Sequence, residues 1–248
     1  MAEELGKIER PEAGQFHGKR KLYVVPLLFS WKDNPKEYAD KLALYWRQAR
    51  EHVANLESRI GEVKIVYHES VTSAGDEGLA ILERLNADSY HLVREKCLMG
   101  ARLEVIEDTE LIEETMDWER HLIIGFMSNK AARVASQNYA EASKKRYEHL
   151  SQRIKDTLKE GEVGMIIIRE DHQVQFPSDV EVFMVAPPAL NDVHRWLRER
   201  QERPDEEAPV ASEEAPAPAP TNEPPDAEEK AESPNTPPQT DQADGSAG

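Results

Sequence analysis

The stretch that decides the fold is EVGMIIIREDHQVQFPSDVEVFMVAPPAL, residues 162–190. Two apolar runs, Val163–Ile168 and Val180–Val185, flank an 11-residue connection, Arg169–Asp179. Both runs have the length and β-branched content of buried strands. A helical crossover needs roughly a dozen residues or more, so the spacing predicts a hairpin-like antiparallel pair. Arg169, Glu170, Asp171 and His172 then occupy an exposed turn. An acid beside a histidine at a strand end is also the raw material of an acid/base site, which makes Asp171 and His172 catalytic candidates. The turn reading is preferred: Asp and His tolerate turn backbone, and no nucleophile lies in the same stretch. Pro187-Pro188 ends the second strand and opens a helix with Leu190, Val193 and Leu197 as its buried stripe and Trp196 beside it.

Working toward the N-terminus, residues 129–161 read as a long helix stopped by Gly161, with Tyr139, Ser143, Tyr147, Leu150, Ile154 and Leu158 on one face. About 30 residues of helix span about 45 Å. Such a helix overhangs a domain of this size unless another long helix lies along it. The expected partner is the helix over residues 38–60, or a second copy of the chain, which makes a homodimer through a long helix one possibility. Residues 109–128 read as a further helix capped by Asp108 or Thr109, with acids in its first turn. The run over residues 120–127 fits helix or strand.

The first half alternates strand and helix. KLYVVPLLF (21–29) is a strand in which Pro26 marks a bulge, an edge or the end. Asp33-Asn34-Pro35 supplies a cap and a first-turn proline for a helix whose stripe runs through Tyr38, Leu42, Tyr45, Trp46, Ala49, Val53, Leu56 and Ile60. A strand over 62–70 completes a βαβ unit, so these two strands are expected to be parallel. Two short helices and a strand over 101–108 follow. The expected class is α/β: a mixed sheet with a βαβ start, two long amphipathic helices and a C-terminal strand-turn-strand-helix unit. The expected boundaries are a flexible arm over 1–18, an α/β half over 19–108, a second half over 109–202 packed with it, and a tail over 203–248.

The tail follows from composition. From Arg203 onward there is no Phe, Trp, Tyr, Leu, Ile or Met; ten of the 16 prolines lie there, with 12 acids against two bases. Such a segment cannot bury enough surface to offset its ordering entropy, so it is expected to be a disordered acidic tail. It carries about −10 of the −17 net charge. The acidic balance argues against broad electrostatic binding to nucleic acid, but leaves room for a local basic face. One cysteine, Cys97, excludes an internal disulfide framework and a multi-thiolate zinc site. No apolar run approaches the roughly 20 residues of a membrane span, and no signal core is present, so a cytoplasmic protein is expected. No phosphate loop and no Gly-x-Ser-x-Gly elbow occurs, and no cofactor is expected.

Three constellations carry possible chemistry. His68 and Glu69 end the second strand, and Asp76 and Glu77 open the next helix; two carboxylates and a histidine suit a divalent cation or acid/base hydrolysis. The competing reading is ordinary first-turn helix acids. Cys97 reads as a buried, inert thiol, because His91 lies on the wrong side of its helix. Lys144, Lys145, Arg146 and Arg153 form a basic stretch on the long helix that suits an RNA or an acidic protein; the competing and preferred reading is the solvated face of a helix.

The junction IKDTLKEGEVGMIIIRED, residues 154–171, resembles one in the C-terminal domain of the eukaryotic and archaeal class-1 peptide release factor and Pelota family: a helix ends in Leu-x-x-Gly and a buried strand then terminates in acids. The resemblance covers fewer than 20 residues and implies a ribosome-linked binding domain. That family's Gly-Gly-Gln signature is absent. Ala13-Gly14-Gln15 lacks the first glycine, so no hydrolytic role passes to Gln15. The sequence therefore favours a non-catalytic binding or regulatory module, with a protein partner or the ribosome in view. A metal- or acid/base-dependent hydrolase centred on His68, Glu69, Asp76 and Glu77 is the alternative.

Overall fold

The computed structural model describes residues 19–31 and 33–202. The expectations for the N-terminal arm and the acidic tail lie outside the described residues. Five strands form one sheet in the order β3-β2-β4-β1-β5. They are β1 (Arg20–Pro26), β2 (Val63–His68), β3 (Arg102–Leu103), β4 (Val163–Ile168) and β5 (Val180–Met184). Every adjacent pair is parallel. The helices are α1 (Lys36–Arg59), α2 (Gly75–Leu85), α3 (Ala87–Leu98), α4 (Thr109–Ile124), α5 (Asn129–Thr157) and α6 (Pro188–Glu202).

The α/β class, the βαβ start and the two long helices are present. The antiparallel pairing of β4 with β5 is not. β1 lies between them and pairs in parallel with both, Val24 opposite Ile166 on one side and Met184 on the other. The connection need only return one strand length, about 20 Å, while crossing two strand spacings, about 10 Å. Eleven extended residues reach roughly 36 Å, so no helix is required. β4 is buried along its whole length, as a central parallel strand should be. β5 is an edge strand with Val182 and Met184 exposed, so only one of the two apolar runs is interior.

Alternation along the strands builds two cores. Tyr23, Val25, Val66, Met165 and Ile167 face one side, covered by α1, α2, α3 and α6 through Tyr45, Leu82, Leu92 and Val193. Leu22, Val24, Ile65, Tyr67, Ile166 and Ile168 face the other, covered by α5 through Tyr147, Leu150, Ile154 and the adjoining Leu158. The expected α1–α5 pairing is therefore corrected: the sheet separates them. α4 lies along α5 instead, joined by the turn 125–128, with Ile112 and Thr115 buried. Residues 120–124 are helix, because the Asp108 carboxylate caps Leu111 N–H and the apolar run continues the turn. Gly125, at φ +80°, closes the helix.

Smaller departures have local causes. Pro26 ends β1. Pro35, not Asp33 or Asn34, flanks the start of α1, because the Asn34 carboxamide accepts from Trp31 N–H. β3 is two residues long, not the eight expected over 101–108; beyond it the chain turns so that Ile106 and Glu107 are buried.

Candidate functional site at the C-terminal edge of the sheet

In open α/β sheets, ligands bind outside the strand C-termini where neighbouring connections leave toward opposite faces. Here β2 exits toward the α2–α3 face. β4 exits through a loop whose Val174 and Phe176 join the opposite core. The crevice between the ends of β2 and β4 is thus the expected ligand position. Four ionic side chains meet there: Glu69 after β2, Glu107 before α4, Arg146 from α5 and Arg169 after β4.

Glu69, Glu107 and Arg146 are 2%, 4% and 2% exposed. The Arg146 guanidinium donates Nε–H to Glu107 Oε2 at 2.9 Å and Nη2–H to Glu69 Oε1 at 3.0 Å, and a further bond joins Nη2 to Glu107 Oε1. Arg169 donates Nε–H to Glu69 Oε1 at 2.8 Å and its backbone N–H to Glu69 Oε2 at 2.7 Å. Its Nη1 then reaches Glu119 on α4 at 3.3 Å. Ser70 N–H donates to Glu107 Oε1 at 3.2 Å, from a residue held at φ +71°. A non-glycine residue there is strained, and the strain is held by the surrounding ion network. Burial pushes the Glu69 carboxyl up, but Arg169, its backbone N–H and Arg146 reverse this and hold the group below the ordinary carboxylate range. For Arg146, burial alone would lower the pKa; Glu107 and Glu69 raise it instead. Two carboxylates and two guanidiniums balance, and every carboxylate oxygen accepts from the protein itself. The crevice is closed by the chain's own charges.

His68 is equally buried. Its Nδ1–H donates to the Glu69 carbonyl, and Nε2 lies 3.1 Å from the Ser89 hydroxyl. Burial pushes its pKa down to about 4, so the imidazole is neutral at pH 7.

The other sequence candidates do not join these groups. Asp76 and Glu77 are exposed in the first turn of α2, so the four-residue hydrolase constellation does not converge. Among the described residues no three His, Cys, Asp or Glu side chains are arranged to hold a metal ion. Asp171 is exposed. His172 is half-buried against Phe176, ring centroids 5.5 Å apart, and burial lowers its pKa. Glu170 meets His194 of α6 at 2.6 Å. Glu170 and Asp171 thus form an exposed turn, closed by His172 N–H donating to the Arg169 carbonyl at 3.3 Å, and the segment supplies Arg169 to the network. Burial raises the Cys97 thiol pKa, and the side chain is half-buried.

The basic stretch divides. Lys144 and Lys145 are exposed. Arg153 donates to Glu104 at 2.7 Å and to the Val105 carbonyl. Arg146 is interior, a correction to its place on a solvated face. The periodicity held that signal: Arg146 lies three residues from Ser143 and four from Leu150, on the buried stripe. Glu107 and Arg169 gave no local signal, since their partners lie 39 and 100 residues away. A groove of about 260 Å³ runs between α5 and the β4–β5 connection, lined by Lys144, Tyr147, Glu148, Gln152, Gln173 and Gln175.

No helix among the described residues is long and apolar enough to cross a membrane. No family model matches this chain, nor does any curated protein or solved structure.

Proposed function

We propose that this chain is a binding or regulatory module whose partner docks on the exposed face of α5, with RNA of the translation apparatus as the partner class. The observation that carries the reading is the state of the sheet's C-terminal crevice: the position where an α/β enzyme would hold a ligand is occupied by the Glu69–Arg146–Glu107–Arg169 network. The outer half of α5 offers a surface instead. Residues 129–148 place Lys130, Arg133, Lys144 and Lys145 at exposed positions against Glu141 and Glu148, in a chain of net charge −17. A local cationic face on an acidic body selects a polyanion while avoiding diffuse binding. The Tyr147 and glutamine groove beside Lys144 adds hydrogen-bonding groups of the kind that read unpaired bases.

The test is co-sedimentation with ribosomes and titration with structured RNA, for the full chain and a Lys144→Glu/Lys145→Glu variant. Both side chains are solvated, so the variant keeps its unfolding temperature. Binding is expected to weaken about tenfold or more, and the wild-type affinity to fall steeply with salt. Unchanged binding, or a wild type that binds neither, overturns the reading.

A further inference from the structure

The outer part of the α4–α5 hairpin is short of a core. Between Met116 and Val134 no residue is buried; Ala135 is the first on α5 that is. Its large apolar side chains face water: Ile123 is 80% exposed, Ile124 83%, Met127 108% and Val134 48%, with Met116 and Phe126 near 40%. Together they present several hundred Å² of apolar surface, comparable to the largest patch on a typical monomer, roughly 300–600 Å², and approaching the ~800 Å² per partner of a standard interface. Beside these knobs is a shallow groove of about 430 Å³, walled by Trp118, Phe126, Ala131, Val134 and Ala135.

Charge distribution selects the same occupant. The first turns of α4 carry Glu110, Glu113, Glu114 and Asp117, all exposed. Residues 120–140 carry Arg120, Lys130 and Arg133 and no acid. Across the 125–128 turn, Lys130 stands level with Ile123, and Arg133 with Arg120. An antiparallel neighbour centred near Asp117–Trp118 then brings its Lys130 and Arg133 within a turn of helix, about 5 Å along the axis, of Glu113 and Glu114. Basic tip meets acidic base twice, and Met116, Trp118 and Val134 of the two copies meet between them.

We propose that the α4–α5 hairpin is a homodimerisation element: two copies pack antiparallel into a four-helix bundle, with Met116, Trp118 and Val134 of the two copies meeting near the two-fold axis and Ile123 and Ile124 of each lying against the α4 base of the other. The surface shares Lys130 and Arg133 with the cationic face of α5 but not Lys144 or Lys145, and Ile124→Glu tests it without altering that face. A four-helix arrangement gives the hairpin the core it lacks as a pair, with coiled-coil-like packing about 20° from antiparallel.

The test uses the full chain in analytical ultracentrifugation. Wild type is expected as a dimer at micromolar concentration. Ile124→Glu is expected to weaken dimerisation at least tenfold with folding intact by circular dichroism. Two charge-reversed chains complete the test, Glu113→Lys/Glu114→Lys and Lys130→Glu/Arg133→Glu. Each alone sets like charges tip against base and is expected to be monomeric. An equimolar mixture restores both contacts and is expected to be a dimer. A monomeric wild type at 100 µM, about a hundredfold above the concentration at which a 1 µM complex half-forms, overturns the proposal. So does a mixture that stays monomeric, or a charge-reversed chain that dimerises as well as wild type. Phosphatidylcholine/phosphatidylserine vesicles give a further arm: binding of monomers to them through the same tip assigns the patch to a lipid surface and overturns the dimer.

Discussion

Replacing Arg146 by Met separates the structural reading of this residue from its appearance in the sequence. Methionine keeps the length of the aliphatic stem and removes three charge-assisted hydrogen bonds. Glu69 retains Arg169 on both oxygens. Glu107 does not fare as well. Its side chain is fully buried, and its one remaining donor is Ser70 N–H at 3.2 Å. A buried carboxylate stripped of its counter-charge must protonate or pull water into the core. Breaking a buried pair from one side costs about 3–5 kcal/mol. For a domain of this size each kcal/mol moves the unfolding temperature by about 2–4 °C. The expected fall is therefore on the order of 10 °C, read by scanning calorimetry or chemical denaturation at pH 7.

A companion variant fixes the cause. Glu107→Gln removes the stranded charge, so Arg146→Met/Glu107→Gln is expected to be more stable than Arg146→Met alone, by about 1–3 kcal/mol. Purely steric damage predicts the reverse, with the second substitution adding its own loss. A cost for Arg146→Met within about 0.5 kcal/mol, the range of surface substitutions, would refute the buried network and return Arg146 to the solvated face with Lys144 and Lys145.

His68 supplies a pH signature. Its folded pKa, about 4, lies below the ordinary 6.5, so between these values the unfolded chain binds the extra proton and stability falls as pH falls. The gap corresponds to roughly 3 kcal/mol, lost progressively from pH 6.5 to 4, and urea midpoints of His68→Gln should lack this slope. Glu69, held below the ordinary carboxylate range, adds a loss that sets in lower, as pH passes below the unfolded carboxylate value. Gly78→Ala places a Cβ 2.2 Å from the Ser73 carbonyl oxygen and 2.9 Å from Leu103 Cδ2, so the usual helix gain from alanine is expected to reverse into a loss of about 2 kcal/mol or more by thermal denaturation.

What the sequence made legible was whatever depends on local period. The α1 stripe from Tyr38 to Val53 and the α5 stripe through Leu150 and Ile154 are the buried faces of those helices. The β4 run Val163–Ile168 is a strand buried on both sides. Strand order was not legible, because it depends on which face each helix covers, and no residue near β4 records that β1 will lie between it and β5. The edge position of β5 left no mark of this kind, because its exposed residues, Val182 and Met184, are themselves apolar. The candidate site fared worse for the same reason. Asp76 and Glu77 lie within nine residues of His68, yet the helix start points them to water. The partners of Glu69 come from α5 and from the end of β4, 77 and 100 residues away. Charge type also misled: Arg146 sits on the buried period, but four cations within ten residues suggest a solvated face until the acids that bury one of them are found.

The ion network does more than close the crevice. Glu107 stands immediately before α4, Glu119 lies within α4, and Arg146 lies within α5. Through Arg146 and Arg169 these are bonded to Glu69 and to the end of β4. The hairpin is thus fastened to the sheet at its base on both helices. An apolar sheath would hold the same elements with fewer desolvated charges, and often with greater stability. Guanidinium–carboxylate bonds, however, fix direction as well as proximity, because each donor must meet its oxygen along a narrow range of angles. A projecting arm whose exposed residues must meet another molecule in register gains from a directional anchor in a way that a fully buried helix does not. The placement of the charges at the root of α4 and α5, and of the unpartnered apolar side chains at their far end, is what a rigid docking arm requires.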